Sequence, residues 1–443
     1  MTRRAGNQSF MLMERGMTAQ RRGDLASAER CYKQVLAREP RHADALHLLG
    51  LIALSRGRVD EAMRLIKNAI TIFPKVAIYH ANLGRVFGES GDPDGAVAAL
   101  ERAVALDPML LQALSNWGLA CESRGDWDAA REHYEAASFG DEDTAIPEAA
   151  FNLGNLHAAR GRDQDAVVAY ERALELRPGY TRAFANLGYT FQKLGKFERA
   201  LEVYRAILAE DPNDAEAAHM LSALSGQTPD RADPGYVAKF FDDYAVRFES
   251  VLVNELAYDT PRAIAEAAAS VLAGTGRFER VLDLGCGTGL SGRALRAFCD
   301  VLVGVDLSEK MLERAKLAGG YDELQCADLL SYLEGSTTTF DLVTAADVLN
   351  YLGDLSAVFG GVALRLSDNG VFVFSTEVGS VEGFALDRTG RFLHERAYVE
   401  ATAREAGFLI VSCEERTLRL ERGEPVRGNL FVLRRRHAEP AGD

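Results

Sequence analysis

The chain has 443 residues, of which 47% are hydrophobic, and it carries a formal net charge of −15 with a pI near 5.2. At roughly 150 residues per domain, this length allows about three domains unless repeats are present. The acidity disfavours a nucleic-acid ligand, because such binding depends on neutralising phosphates with basic side chains. It is concentrated in residues 226–443, which hold 23 basic and 34 acidic side chains.

The six cysteines are scattered without a C-x-x-C pair, and the eight histidines show no ligand spacing with them. We therefore expect neither a disulfide framework nor a metal site. The sequence shows no signal peptide and no apolar run approaching the roughly 18 residues of a membrane span. These features predict a cytoplasmic protein with no membrane partner.

The amino-terminal half repeats itself with a period of about 34 residues. Six glycines mark the units: Gly16, Gly50, Gly84, Gly118, Gly154 and Gly188. A large residue follows in each unit at one fixed spacing: Tyr32, Ile66, Leu100, Tyr134, Tyr170 and Tyr204. An alanine precedes each large residue by one helical turn, and a proline closes five of the six units.

This pattern resembles the tetratricopeptide repeat. The resemblance predicts an all-α solenoid of six repeats plus a capping helix over residues 9–225, because such arrays need a solvated end helix. Glycine and alanine allow paired helices to cross closely, the large residue fills the gap between them, and proline ends the second helix. The fourth unit carries a two-residue insertion within residues 139–148.

An asparagine stands two residues before four of the glycines, at Asn82, Asn116, Asn152 and Asn186. Residues in the same phase of a solenoid form a ladder, and in tetratricopeptide proteins that ladder lines the concave face. Because an amide both donates and accepts hydrogen bonds, it could grip a peptide backbone. The resemblance therefore predicts a protein or peptide partner on this face. The alternative is that these asparagines bond helix to helix inside the array.

Residues 226–235 are rich in turn formers and predict a linker to a second domain at 236–436. Aromatic residues then recur at helical spacing: Tyr236, Phe240, Phe241, Tyr244 and Phe248. One interpretation is a helix packed on a sheet, with Phe240 and Phe248 in the core. The other is a helix that covers a ligand.

Residues 281–289, VLDLGCGTG, predict a buried strand, a glycine loop and the start of a helix. Gly285, Gly287 and Gly289 permit a sharp turn and a close ligand approach. Asp306 ends the next strand, 21 residues after the first glycine, as a nucleoside-binding βαβ unit requires. Leu290 holds the place of the third glycine of a pyrophosphate loop, which disfavours a dinucleotide.

The segment resembles motif I of class I S-adenosylmethionine-dependent methyltransferases. The resemblance implies a Rossmann-like domain whose seven-stranded sheet ends in an antiparallel hairpin, with S-adenosylmethionine as cofactor. It also implies cofactor contacts from the loop and its flanks: Asp283, Gly285, Cys286, Gly287, Gly289, Asp306 and Leu307. The alternatives are an α/β core without nucleotide or a NAD domain.

The rest of the chain alternates between strand and helix patterns. The predicted strands are 279–284, 301–305, 322–327, 340–346, 369–376, 408–418 and 427–435. The predicted helices are 260–273, 289–299, 308–318, 352–366 and 395–406.

Further site residues follow from the methyltransferase resemblance. Asp328 is expected to bond the adenine amino group, with Leu329 beside the ring, although a helix N-cap would also explain this aspartate. Ala346 ends the predicted fourth strand and is placed beside the sulfonium. Tyr236 and Tyr244 are expected to belong to a lid over the cofactor.

Methyl transfer is an in-line displacement that depends mainly on alignment, so a general base is optional. Asp347 and His394 are the predicted catalytic residues, and Glu377 and Tyr351 are further candidates. His394 is predicted to lie in a loop before a helix, where a surface or capping role is the alternative.

Three functions fit this organisation. The first is methylation of a protein or carrier-bound substrate recruited by the repeats. The second is a small-molecule methyltransferase whose repeats bind an unrelated partner. The third, a scaffold without activity, is disfavoured by the intact loop with Asp306 and Asp328.

Overall fold

A computed structural model of the chain describes residues 2–139, 144–245, 248, 258–272, 276–379, 382–421 and 423–436, with side chains from residue 8 onward. The chain divides into two compact units, Met1–Val203 and Tyr204–Asp443. This division falls within a helix, whereas the predicted domain limits lie at residues 225 and 235. Residues 140–143 of the predicted insertion lie outside the described residues.

The amino-terminal unit is an array of helix pairs, as the repeats predict. Its helices are α1 (Thr2–Arg21), α2 (Leu25–Arg38), α3 (Ala43–Ser55), α4 (Val59–Ile72), α5 (Ala77–Glu89), α6 (Pro93–Leu106), α7 (Leu111–Ser123), α8 (Trp127–Ser138), α9 (Pro147–Ala159), α10 (Asp163–Leu176), α11 (Thr181–Lys193) and α12 (Phe197–Glu210). Asp24, Asp92 and Asp126 begin second helices by accepting a backbone N–H with the side chain.

The first five repeat glycines lie directly against the large residues of the paired helix. An added Cβ would lie 2.5 Å from the ring of Tyr134 at Gly118 and 2.4 Å from the ring of Tyr170 at Gly154. Both rings are buried, and the Tyr134 hydroxyl donates to Glu122 Oε2 at 2.8 Å. The repeat period therefore reflects a steric requirement within each helix pair.

We expect Gly118→Ala to destabilise the array by about 1–3 kcal/mol, because the buried Tyr134 ring leaves no room for a methyl group. Gly88→Ala is the matched control, since no atom lies within 4 Å of its Cβ position. The control should gain about 0.5–1 kcal/mol from helix propensity. Urea unfolding can be followed through Trp117 and Trp127, the two tryptophans of the chain. Equal midpoints for the two variants would contradict the steric explanation.

The carboxyl-terminal unit places helices around a sheet. Its elements are α13 (Ala215–Ser225), α14 (Pro234–Tyr244), α15 (Thr260–Ser270), β1 (Phe278–Leu284), α16 (Leu290–Leu295), β2 (Cys299–Asp306), α17 (Glu309–Ala318), β3 (Glu323–Cys326), α18 (Leu329–Gly335), β4 (Phe340–Ala345), α19 (Ser356–Arg365), β5 (Leu366–Glu377), β6 (Phe384–Leu386), β7 (Phe392–His394), α20 (Arg396–Glu405), β8 (Phe408–Glu421) and β9 (Glu424–Arg435).

The central strands run parallel in the order β3-β2-β1-β4-β5, and β9 and β8 follow as an antiparallel hairpin on β5. This order confirms the Rossmann-like fold and the terminal hairpin. The predicted number of seven strands is wrong, because the described residues form a nine-stranded sheet. The short strands β6 and β7 pair with each other, and β7 bonds the end of β5 at Glu377. Strands of three residues have too short a pattern to detect in a sequence.

Both faces of the sheet are buried. Val281 and Leu302 face one apolar cluster with Ile264 of α15, whereas Leu282 and Val303 face another with α19 and α20. Successive residues of a strand point to opposite faces, so β1 and β2 read as nearly continuous apolar runs. Because β1 to β5 run parallel, their carboxyl ends meet at one edge of the sheet, where the candidate site lies.

The predicted linker is bonded along its length to the carboxyl-terminal unit. Asp230 O accepts the N–H groups of Gly353 and Asp354 at 2.8 and 2.9 Å, and Ala232 N–H donates to Tyr351 O at 3.0 Å. Upstream, His219 of α13 bonds Gly390 O at 2.8 Å. These contacts explain why residues well before 236 belong to the carboxyl-terminal unit.

Candidate functional site

The glycine loop follows β1 in a conformation that suits glycine. Gly285, Gly287 and Gly289 have φ angles of +65°, +53° and +92°. The N–H groups of Gly285 and Cys286 both donate to Val305 O, at 2.8 and 3.0 Å, which folds the loop back over β2. An added Cβ at Gly285 would lie 2.2 Å from Val348, so this close approach also requires glycine.

Asp306, at the end of β2, ties the loop to the next helix. Its Oδ2 accepts Gly287 N–H at 2.9 Å, and its Oδ1 accepts Ser308 N–H at 2.8 Å. Burial raises the pKa of this carboxyl group, and the backbone hydrogen bonds oppose that rise. Each carboxylate oxygen has a second lone pair, so the group can still accept hydroxyls from a ligand. Leu307, next in the chain, is half-buried.

Asp328 caps α18 and also meets the linker. Its Oδ2 accepts Ser331 N–H at 3.2 Å, and the Arg231 guanidinium donates to its Oδ1. Burial acts to raise the pKa of Asp328, but the bond from Arg231, the backbone hydrogen bonds of Ser331 and Leu330 and the Arg231 charge together outweigh it, so the pKa lies below its ordinary value. The capping interpretation is therefore correct, and it leaves lone pairs for an adenine amino group. Leu329 is half-buried at the start of α18.

Helix α14 carries the aromatic stripe toward the glycine loop. The Tyr244 ring lies 5.7 Å from Phe248, and Phe248 is the neighbour that an added Cβ at Gly287 would meet, at 3.8 Å. Asp242 Oδ1 accepts Ser308 Oγ–H at 2.5 Å, which anchors the helix beside Asp306. Tyr236 is buried and stacks on His219 at 4.8 Å. The expectation that Phe240 is core is wrong, because that ring is 39% exposed.

Asp283 is fully buried within β1, and both of its oxygens are engaged. Tyr321 Oη–H donates to Oδ2 at 2.7 Å, and Thr344 Oγ1–H donates to Oδ1 at 2.8 Å. Burial raises the pKa of Asp283 to about 6 despite these bonds. Asp283 has no exposed surface, whereas Asp306 is half-buried, so a direct contact with a ligand ammonium would require movement of a neighbour of Asp283. Cys286 is also buried, and burial holds the pKa of its thiol well above the ordinary value.

Ala346 and Asp347 leave the end of β4. Asp347 has a φ of +52°, which is uncommon for a residue with a side chain and is often found at functional sites. Ser375 holds it: Asp347 N–H donates to Ser375 Oγ at 2.9 Å, and the Ser375 hydroxyl donates to Asp347 Oδ1 at 2.7 Å. Burial raises the pKa of Asp347, and Arg419 opposes that rise.

His394 does not lie in a loop as predicted, because it ends β7 and is fully buried. Its Nε2 lies 2.9 Å from Leu352 O and 3.2 Å from Gly353 O. A carbonyl oxygen only accepts, so Nε2 carries the proton in these bonds. Burial lowers the pKa of His394 to about 4. This geometry favours a structural role.

The strand ends thus assemble Gly285, Asp306, Asp328 and Asp347 at one edge of the sheet, while His394 is held by the loop after β4. Residues that sequence reasoning did not single out are Arg231, Tyr321, Arg391 and Arg419. Arg231 lies in a segment without periodicity, so only its place next to a turn could have drawn attention to it. The arginines of β8 and its neighbourhood resemble ordinary surface charges of a hairpin.

The ladder asparagines of the array fall into two pairs. Asn82 Nδ2 lies 2.8 Å from His47 Nε2, and Asn186 Nδ2 donates to Asn155 Oδ1 at 2.8 Å, so both bond between helices. Asn116 accepts only from Gln112 of its own helix, at 3.3 Å. Within the described residues, no side-chain hydrogen bond is found for Asn152.

We expect the double substitution Asn116→Ala and Asn152→Ala to change the unfolding free energy by less than about 0.5 kcal/mol, as for surface sites. Asn186→Ala should cost about 1 kcal/mol, because it removes a half-buried hydrogen bond. Urea denaturation followed by tryptophan fluorescence measures both. A larger loss for the double variant than for Asn186→Ala would assign all these amides to the framework.

Comparison with known families finds repeats in the amino-terminal part of the chain and a methyltransferase domain in the carboxyl-terminal part. The family described as "Methyltransferase domain" matches residues 282–372, and families described as "Tetratricopeptide repeat" match residues 13–77, 82–144 and 157–224. The chain joins tetratricopeptide repeats to a class I methyltransferase domain. The methyltransferase match spans the glycine loop, Asp306, Asp328 and Asp347.

Individual relatives cover only part of the chain. A ubiquinone biosynthesis O-methyltransferase of Idiomarina loihiensis is 31% identical over 112 residues, which is 24% of this chain and 46% of that protein. One of the same name from Coxiella burnetii is 31% identical over 102 residues, or 22% of this chain and 43% of that protein. The chain therefore spans less than half the length of these relatives.

Solved structures are similar to each half. An S-adenosylmethionine-dependent methyltransferase from Mesorhizobium loti is 27% identical, with a TM-score of 0.31, over 38% of this chain and 96% of that chain. The MamA protein is 26% identical, with a TM-score of 0.33, over 40% of this chain and 96% of that chain. With TM-scores this low, neither structure adds to the assignment.

Two further features are absent from the described residues. In that part of the chain, no helix is long and apolar enough to cross a membrane. Nor do its histidines, cysteines and acids gather in groups of three or more that could hold a metal ion.

Proposed function

We propose that this chain is an S-adenosylmethionine-dependent methyltransferase whose repeat array binds the protein or peptide that is, or carries, the methyl acceptor. The main support is the position of Asp306, which holds Gly287 N–H and Ser308 N–H while keeping free lone pairs. A ribose presents two neighbouring hydroxyls, which a carboxylate in this place can accept. The cofactor supplies a methyl group already activated on a sulfonium.

The residues present fit that cofactor. Gly285 leaves the loop backbone bare for a close approach, and Asp306 and Asp328 suit the sugar and the adenine amino group. Thr288, in the loop, is 1% exposed, and its hydroxyl has no partner among the described residues. A buried hydroxyl without a partner is costly, so a ligand atom is the expected acceptor or donor. Asp283 is assigned to supporting the loop, since its side chain is fully buried.

Asp347 is the residue we assign to the acceptor side. Ser375 fixes its carboxylate, and burial raises its pKa toward the range in which a general base works best. His394 is left out of the reaction, because its Nε2–H is committed to backbone carbonyls. Alignment of the acceptor would supply most of the rate acceleration, because proximity alone can lower the activation barrier by about 7–11 kcal/mol.

The test of this function has two stages. Calorimetry with S-adenosylhomocysteine should show binding to the full chain, and no uptake would refute the proposal. Methyl-labelled cofactor added with the protein to a cell lysate should then place label in acid-insoluble material. The variant carrying Asn116→Ala and Asn152→Ala should label proteins less than the unsubstituted chain, while its nucleoside affinity stays the same.

A second candidate is a small-molecule methyltransferase whose array binds an unrelated partner. The similarity to ubiquinone biosynthesis O-methyltransferases around the glycine loop favours it. In that case the label should enter acid-soluble compounds, and the asparagine substitutions should leave the labelling rate unchanged.

A further inference from the structure

Two arginines meet two acids where the methyl acceptor would lie. Glu377 ends β5, Asp347 follows β4, Arg419 comes from β8, and Arg391 immediately precedes β7. We call these four residues the arginine cluster. The pairing of β8 with β9 shifts register between Thr417 and Arg419. Such a bulge re-aims side chains, and here both Leu418 and Arg419 are buried in succession.

Arg419 is more deeply buried than its hydrogen bonds justify. The residue is 4% exposed, and its Nη2 donates to Glu377 Oε1 at 2.6 Å. Its Nη1 lies 3.6 Å from Asp347 Oδ2, beyond a good hydrogen bond, and its Nε has no partner among the described residues. A guanidinium has five N–H donors, and on Arg419 the Nε–H has no acceptor among the described residues while Nη1 has none at close range.

Arg391 adds further donors beside it. Its Nη1 donates to Glu421 Oε1 at 2.7 Å, and its Nε lies 3.9 Å from Glu377 Oε1. The Tyr351 hydroxyl is a further neighbour. Burial raises its pKa, and the charge of Arg391 opposes that rise without cancelling it. The cluster thus presents two guanidinium groups with more donors than their neighbours use.

One oxygen of each acid is already occupied. Glu377 Oε1 accepts from both Arg419 and Asn350 Nδ2, the latter at 3.0 Å, and Asp347 Oδ1 accepts the Ser375 hydroxyl. A buried donor left without a partner destabilises the protein. An incoming group that brings two acceptor oxygens would remove that destabilisation.

The chemistry that matches is a carboxylate. Its two oxygens fit the planar fork of a guanidinium, and such charge-assisted pairs are about twice as strong as neutral ones. Asp347, Glu377 and Glu421 already face the two arginines, so further negative charge is costly and a monoanion suits the site better than a phosphate dianion.

We propose that the acceptor substrate carries a carboxylate that Arg391 and Arg419 hold at the ends of β4 and β5. This inference rests on the proposed function, and it names the substrate class of the same site. The carboxylate belongs either to a small organic acid or to the carboxyl terminus of a peptide delivered by the array.

The experiment uses the full chain saturated with S-adenosylhomocysteine and fluorine NMR line broadening. The probes are 4-fluorobenzoate with 4-fluorobenzamide, and Gly-Gly-4-fluorophenylalanine with a free or an amidated carboxyl terminus. We expect the fluorine resonance of an acid to broaden when the protein is added, whereas the resonance of its matched amide should not broaden. The pair that responds identifies the source of the carboxylate.

Arg391→Gln should weaken binding of the acid about tenfold or more, as expected for one charge-assisted bond. Arg419→Gln should weaken it similarly. If loss of the buried pair between Arg419 and Glu377 prevents that variant from folding, Arg391→Gln alone provides the test. Arg396→Gln, at an exposed arginine of α20, is the control and should change nothing. Unchanged nucleoside affinity in each variant verifies the fold.

Equal binding of acid and amide, equal binding by Arg391→Gln and the unsubstituted chain, or no acid binding to nucleoside-loaded protein would each overturn the inference. Failure of the unsubstituted chain to bind S-adenosylhomocysteine would instead refute the proposed function, and the inference would fall with it.

Discussion

Asp306→Ala is expected to weaken S-adenosylhomocysteine binding about hundredfold or more. The substitution removes the acceptors for the ribose hydroxyls, and each hydrogen bond to a charged group contributes about 1.5–3 kcal/mol. It also releases Gly287 N–H and Ser308 N–H, which Asp306 holds at 2.9 and 2.8 Å. The loop would therefore lose its fixed position as well as its ligand contacts. Isothermal calorimetry on the full chain measures the affinity.

Asp300→Ala is the matched control for this prediction, because Asp300 is the second residue of the same strand, where it pairs with Arg277. It should leave the affinity within about twofold, since exposed pairs contribute about 0–1 kcal/mol. If Asp306→Ala bound the nucleoside as tightly as Asp300→Ala, the assignment of the ribose site would be wrong.

Gly285→Ala should lower nucleoside affinity by at least about tenfold and destabilise the carboxyl-terminal unit. Its φ of +65° costs an L-residue about 1–2 kcal/mol. The new methyl group would also lie 2.2 Å from Val348 Cγ2 and 3.0 Å from Cγ1. Val348 is β-branched and stiff, so relief requires movement of the loop after β4, which carries Ala346 and Asp347.

A second substitution separates the two costs. Val348→Ala in the Gly285→Ala background removes the clash but leaves the backbone strain, so it should restore part of the affinity. Gly287→Ala should resemble that double variant, because its nearest neighbour is Phe248 at 3.8 Å and its φ is also positive. Calorimetry and hydrogen exchange of residues 281–290 report both effects. An unaltered affinity in Gly285→Ala would show that the loop does not bind the ligand closely.

The elements with strong local patterns were predictable. The glycine period predicts the helix pairs because the steric conflict at Gly118 and Tyr134 recurs at Gly16, Gly50, Gly84 and Gly154. The strands β1, β2 and β4 were visible as apolar runs because both sheet faces are covered. The spacing between the glycine loop and Asp306 predicts that they lie close together, because both belong to one βαβ unit, in which sequence distance fixes spatial distance.

Contacts between distant segments were not predictable. The bond between Arg231 and Asp328 joins positions far apart in the chain, and no local pattern encodes it. His394 was expected in a loop, because a three-residue strand has almost no periodicity. Arg419 lies just beyond the predicted strand 408–418, and only the register shift in β8 places it inside. Such pairings arise from tertiary packing, which overrides local preference.

The bonded segment at 228–233 bears on how the catalytic half can be produced separately. An expression product that starts at residue 236 would omit Arg231, which touches Asp328, and would omit the backbone bonds of Asp230 and Ala232 to residues 351–354. One that starts at 226 would still lack His219, the stacking partner of Tyr236. A start point before Ala215 keeps all of these contacts, and it is where crystallisation of that half should begin.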